Sequence, residues 1–151
     1  MAVTLEQVLE VLSPEEPDYS AAERLGSQAL PHLNSLVTGS DPMLASKAAY
    51  LASLIQSDQS ADVLQIAAQS EDPIVRVAAA AGIRNLNQIA ANQISLMLLD
   101  DTDIGIRKVV LKSLPTQVTP QLRLKLETLT QQERNPLIRQ LSTEVLNRLQ
   151  R

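Results

Sequence analysis

Residues 70–86 read SEDPIVRVAAAAGIRNL. An Asp-Pro step stands in front of an apolar run, and that step has a mechanism. Asp72 offers a carboxylate oxygen to an unpaired amide of a first helical turn. Pro73 takes the first helical position, where its missing N–H costs nothing. Val75, Ala79, Ile83 and Leu86 then recur at the spacing of one helix face. The small side chains from Ala78 to Ala81 let helices approach closely. Gly82 gives up about 1 kcal/mol of helix propensity, which predicts a position with no room for a larger side chain.

The same step recurs along the chain. Asp41-Pro42, Asp72-Pro73, Asp103-Ile104 and Asn135-Pro136 are separated by 31, 31 and 32 residues. Behind them the apolar positions keep register: Leu44, Ala48, Leu51, Ala52 and Ile55 match Val75, Ala79, Gly82, Ile83 and Leu86, and these match Ile106, Val110, Ser113 and Leu114. A second amphipathic segment precedes each later step, seen as Val63, Ile66, Ala67, then Ile94, Met97, Leu98, then Leu126, Leu129, with Thr119-Pro120 as a further helix start. Each repeat therefore reads as two short helices. The front of the chain follows the same grammar. Thr4 with Gln7 forms a capping box that opens a helix through Leu12, and Ser20 with Glu23 predicts another running past Gly26 toward Leu30. Pro31 begins the next helix and Gly39 ends it.

The pattern predicts an all-α chain, an α-solenoid of about ten helices in five stacked antiparallel pairs. Residues 1–151 form one domain: an irregular helix pair over 1–30, then repeats over about 31–60, 61–89, 90–118 and 119–151. A pair of this length cannot bury its apolar face alone, so neighbours must stack.

Composition narrows the function. The chain has no Cys, Phe or Trp, so disulfides, thiolate metal sites and a cysteine nucleophile are excluded, and the core must be built from Leu, Ile, Val and Ala. The start, MAVTLEQVLE, has acids where a leader would have bases, and the longest apolar run, ISLMLL, is too short to span a bilayer. A cytoplasmic protein is expected. Residues 1–75 carry 11 acids and 2 bases, whereas residues 76–151 carry 6 acids and 11 bases. The molecule is electrically two-ended, which steers charged partners.

The motif Asp-Pro-x-Val-Arg-x-Ala-Ala, present as Asp72, Pro73, Val75, Arg76, Ala78 and Ala79, resembles that of HEAT repeats, in particular the short HEAT-like repeats named after E/Z-type phycobilisome lyases. It is weaker as Asp103, Ile106, Arg107, Val109 and Val110 and as Asn135, Pro136, Ile138 and Arg139, and the copy from Asp41 has Ala45 in place of the arginine. The resemblance covers residues 31–149 well and the first thirty loosely. It implies an armadillo-like helical stack in which the repeated arginine pairs with the turn aspartate of an adjacent repeat. On that basis Asp72, Arg76, Asp103, Arg107 and Arg139 are expected to form an internal ladder.

Few residues suggest chemistry. The acidic run DDTD at 100–103 fails as a calcium loop, because a loop starting at Asp101 needs Gly at its sixth position and Glu at its twelfth, where Ile106 and Lys112 stand. Helix capping explains it better. His32 is the only histidine and has no Cys or second His to form a metal site or triad. The expectation is a chain with no catalytic residue, metal or cofactor.

The informative face lies one turn around from the core stripe of the second helices. By register it holds Ser46, Ala49, Tyr50 and Ser53, then Val77, Ala80, Ala81 and Arg84, then Lys108, Leu111 and Lys112, then Gln140, Thr143, Glu144 and Asn147. In the families resembled this face lines a groove. The reading is a non-enzymatic scaffold or adaptor that grips another protein around Tyr50, Val77, Arg84, Lys108 and Lys112, through an acidic or amphipathic partner segment. The alternative implied by the resemblance is a bilin lyase or phycobilisome assembly factor, with Tyr50 and the basic residues holding a tetrapyrrole and its propionates. Nucleic acid ranks last as a partner, because the net charge is negative and aromatic stacking groups are almost absent.

Overall fold

The computed structural model describes residues 2 to 149, and among these every regular element is helical. Ten α-helices follow in chain order: α1 (Leu5–Leu12), α2 (Tyr19–Glu23), α3 (Leu30–Val37), α4 (Pro42–Leu54), α5 (Gln59–Ala68), α6 (Pro73–Gly82), α7 (Gln88–Leu98), α8 (Ile104–Ser113), α9 (Pro120–Gln132) and α10 (Pro136–Leu149). Short 3-10 turns over Ser27–Ala29 and Ile83–Asn85 lead into α3 and out of α6.

The caps act where local chemistry predicts them. Asp41 accepts from the amides of Met43 and Leu44, Asp72 from Ile74, Asp103 from Gly105 and Ile106, Thr119 from Leu122, and Asn135 from Leu137 and Ile138. Thr4 and Gln7 close a reciprocal capping box at α1. The expected start at Ser20 is corrected. Asp18 accepts from the Ala21 amide instead, and α2 ends after a turn and a half. The early end is explained by Gly26, whose φ of 71° places it in the left-handed region. That conformation suits glycine and stops a helix from running on to Leu30.

Helix α4 packs on α6, α6 on α8 and α8 on α10, while α3 packs on α5, α5 on α7 and α7 on α9. Two rows result, joined by contacts such as α3 with α4, α5 with α6 and α9 with α10. Helices α1 and α2 close the N-terminal side against α3 and α4. The core between the rows is aliphatic, with Leu51, Leu64, Ile83, Ile94, Leu98, Ile106 and Leu122 fully buried. The apolar stripe of α10 also turns inward, as Ile138, Val145 and Leu146 are buried.

At Gly82 helix α6 closely approaches α4 and α5. A Cβ there would lie 2.8 Å from the Cβ of Ser53 and 3.1 Å from Cδ1 of Leu64. Helix propensity alone favours alanine at this site by about 1 kcal/mol, but overpacking a filled core costs about 1–3 kcal/mol. Steric contact therefore decides in favour of glycine.

Candidate functional site

Two members of the arginine row, Arg76 and Arg107, are held by ion pairs between neighbouring segments, but not with the acids expected. Arg76 Nε donates to Asp101 at 2.8 Å, and its Nη1 donates to the carbonyls of Ser70 and Glu71 at 2.9 and 3.1 Å. Arg107 pairs with Glu133. Arg139 donates to the Glu133 carbonyl at 3.2 Å. Asp72 and Asp103, expected as rungs, are corrected to caps of their own helices. The physical reason is that each cap oxygen is turned into the first helical turn. The acid two residues ahead of the cap, Asp101 before Asp103 or Glu133 before Asn135, faces back toward the preceding pair. Asp101 and Glu133 also accept from the amides of Asp103 and Asn135, at 2.9 and 3.2 Å. Asp100 pairs with Lys125, so Asp100, Asp101 and Asp103 of the DDTD run each have a structural partner.

These contacts leave a mark on titration. Burial works to raise the Glu133 carboxyl, but the Arg107 hydrogen bond, the Asn135 amide, the Arg107 charge and the Arg134 amide outweigh it and hold the group below its ordinary value. Both partners are only 14% exposed. A carboxylate lowered in the folded state stabilises it above the unfolded value, here 4.5, and that contribution is lost as pH falls through the lowered folded value. Thermal melts at about pH 6 and about pH 3 should therefore show a smaller acid-induced drop for Glu133→Gln than for the wild type. An unchanged drop would mean the pair contributes nothing to acid sensitivity.

The residues expected on the second-helix face divide. Ala49, Ser53, Ala80 and Leu111 are buried, because each even-numbered helix of the row is flanked by its neighbours. Val77, at 37% exposure, and Arg84 and Lys112 face solvent, and Lys108 is half-buried. Tyr50 is half-buried against Tyr19, edge to face with centroids 5.0 Å apart. Burial, and then the second phenol, push the Tyr19 hydroxyl up in pKa. Tyr50 thus belongs to the packing of α2 on α4 and stands two helices along the row from Lys108 and Lys112.

The gaps between successive second-row helices are bridged unevenly. Asn85, after α6, donates to Ser53 Oγ of α4 at 3.0 Å, and Arg84 donates to Ser113 Oγ of α8 at 3.2 Å. Among the described residues no side-chain hydrogen bond or ion pair joins α8 to α10. There the surface opens into a trough of two adjoining clefts, about 560 and 240 Å³, which share Leu111, Lys112, Val145 and Arg148. Leu141, Glu144 and Asn147 complete the larger cleft; Leu114, Pro115, Thr116 and Leu149 complete the smaller.

One wall of the trough is the α8–α9 linker, and α7 holds it in place. Asn92, 4% exposed, donates to the carbonyls of Gln88 and Gln117 at 2.7 and 3.0 Å and accepts from the Thr119 amide at 2.8 Å. Gln88 accepts from the Gln117 amide and donates to Thr116. Sequence reasoning placed Lys112, Glu144 and Asn147 near this face and missed Leu141, Val145, Arg148 and Asn92. An asparagine amid the apolar stripe of α7 was the available signal.

His32 has a structural place. Its Nε2 lies 2.8 Å from the Val3 carbonyl oxygen, which can only accept, so that nitrogen carries the proton and ties the first residues to α3. Among the described residues no group of three or more His, Asp or Glu is placed to hold a metal ion, and no helix is long and apolar enough to cross a membrane.

No protein-family model matches this chain, and no curated protein matches it either.

Proposed function

We propose that the chain is a HEAT-like α-solenoid acting as a non-catalytic scaffold or adaptor, which docks a segment of another protein on the face formed by its second helices. The observation that carries this reading is the trough between α8 and α10, with an apolar floor and cationic walls on helices fixed by aliphatic packing. A groove formed in advance lowers the ordering cost of association, which limits affinity for most partner segments. The chromophore-handling alternative draws on Tyr50 acting together with Arg84, Lys108 and Lys112. The packing of Tyr50 against Tyr19 favours docking over that alternative.

A photo-crosslinking residue tests the reading in the native cell. Placed at Asn147, on the trough rim, it should yield a discrete protein adduct; placed at Gln131, exposed on α9, it should not. Equal adducts at both sites, or none at 147, would remove the assignment of this face.

A further inference from the structure

The docking reading leaves open what chemistry the occupant carries, and the trough walls speak to that. Lys112 on α8 and Arg148 on α10 each line both clefts, so a ligand lying along the trough passes between two cations. Neither forms an ion pair among the described residues, whereas Arg76, Arg107 and Lys125 each meet an acid. The one acid lining the trough, Glu144, accepts from Gln140 at 3.2 Å. The floor is apolar: Leu141 is half-buried, as are Leu114 and Leu149 at the linker end, while Leu111 and Val145 are themselves buried.

Charge elsewhere adds direction. The surplus of acids over bases in residues 1–75 repels an acidic partner from that half, and the surplus of bases in residues 76–151 draws it toward this one. The rings that could stack on bases, Tyr19 and Tyr50, pack against each other away from the trough. A single-stranded nucleic acid would find phosphate partners there but no stacking platform.

Resting on the docking reading, we propose that the α8–α10 trough takes an acidic amphipathic segment of a partner protein, whose carboxylates pair with Lys112 and Arg148 while its apolar side chains cover the half-buried Leu141, Leu114 and Leu149. The solvent-exposed cations set orientation and encounter rate, and burial of the half-exposed leucines adds an apolar contribution.

A random-peptide display library panned against the full chain tests this, with the Lys112→Glu/Arg148→Glu double variant as counter-target. Both substituted residues are exposed, and a thermal melt of the variant confirms that it folds. The expected result is enrichment of peptides that combine acids with large aliphatic residues, bind about tenfold or more weakly to the variant, and lose affinity as salt rises. Enriched peptides that are neutral or basic, or that bind the variant equally well, overturn the acidic assignment while the docking reading stands. Failure to enrich any peptide overturns the proposal, and the crosslink at position 147 then decides the docking reading by itself. Two further outcomes name a different occupant and overturn the proposal. One is tighter binding of a labelled single-stranded RNA that the variant abolishes; the other is a dimer in sedimentation that the variant dissolves.

Discussion

Replacing Asp101 with alanine should lower the melting temperature by about 6–12 °C, the scale set by a loss of about 3 kcal/mol in a chain of this length. Its carboxylate is 6% exposed and accepts from Arg76 Nε, more weakly from Arg76 Nη2, and from the Asp103 amide. Removing it leaves a guanidinium at 19% exposure with only the carbonyls of Ser70 and Glu71, and it leaves the turn before α8 without its internal bond. Stripping one partner from a charged, mostly buried pair costs more than the pair contributes on balance, since the remaining ion stays desolvated. Asp72→Ala is the control. Asp72 makes a single capping bond, to the Ile74 amide at 2.9 Å, and a lost cap costs about 1 kcal/mol, or about 2–4 °C. Melting curves followed by circular dichroism compare the two. Equal drops, or a larger drop for Asp72→Ala, would return the stabilising role to the cap residues.

The second large effect is expected at Asn92. Alanine there removes three hydrogen bonds at once and leaves the Gln117 carbonyl and the Thr119 amide without their partner. Each of these hydrogen bonds contributes about 1 kcal/mol net, so a loss of about 3 kcal/mol is expected in urea unfolding, with the midpoint shifted and the slope unchanged. The loss should be local as well as global. Hydrogen exchange at the Thr119 amide should speed up well beyond what global destabilisation explains, because Asn92 Oδ1 is its acceptor. The trough wall at Pro115 and Thr116 loosens with it. Unchanged protection at Thr119 would mean the linker is held by other means.

How far the sequence could be read follows from the range of each interaction. Caps at Asp41, Asp72, Asp103, Thr119 and Asn135 involve residues two or three apart, so residue type and spacing reveal them. The core stripe of Val75, Ala79 and Ile83 is legible because one periodicity serves every packing arrangement of the helix. The start of α2 was misread, since Ser20 and Asp18 are both competent cap residue types and only the fold shows Asp18 in use. Arg76 was recognised as a cross-link, but its acid lies 25 residues away in a run of three candidates. Only the packing of α6 against the turn before α8 singles out Asp101. The buried Ala49, Ala80 and Leu111 were misplaced on the open face for a related reason. A helix flanked on both sides in its row hides more of its circumference than a one-sided stripe suggests. The trough was least legible of all, because it exists where a bridging side chain is missing.

The fit of Gly82 against Ser53 makes the two positions a single choice written in two places. A lineage that gains a side chain at 82 must first shed the one at 53, and the reverse order passes through a collision of two Cβ atoms. Shedding Ser53 also removes the acceptor for Asn85, so even the permitted order gives up a hydrogen bond between α4 and the turn after α6. Drift at this contact is slow by geometry alone, with no ligand required to hold it still.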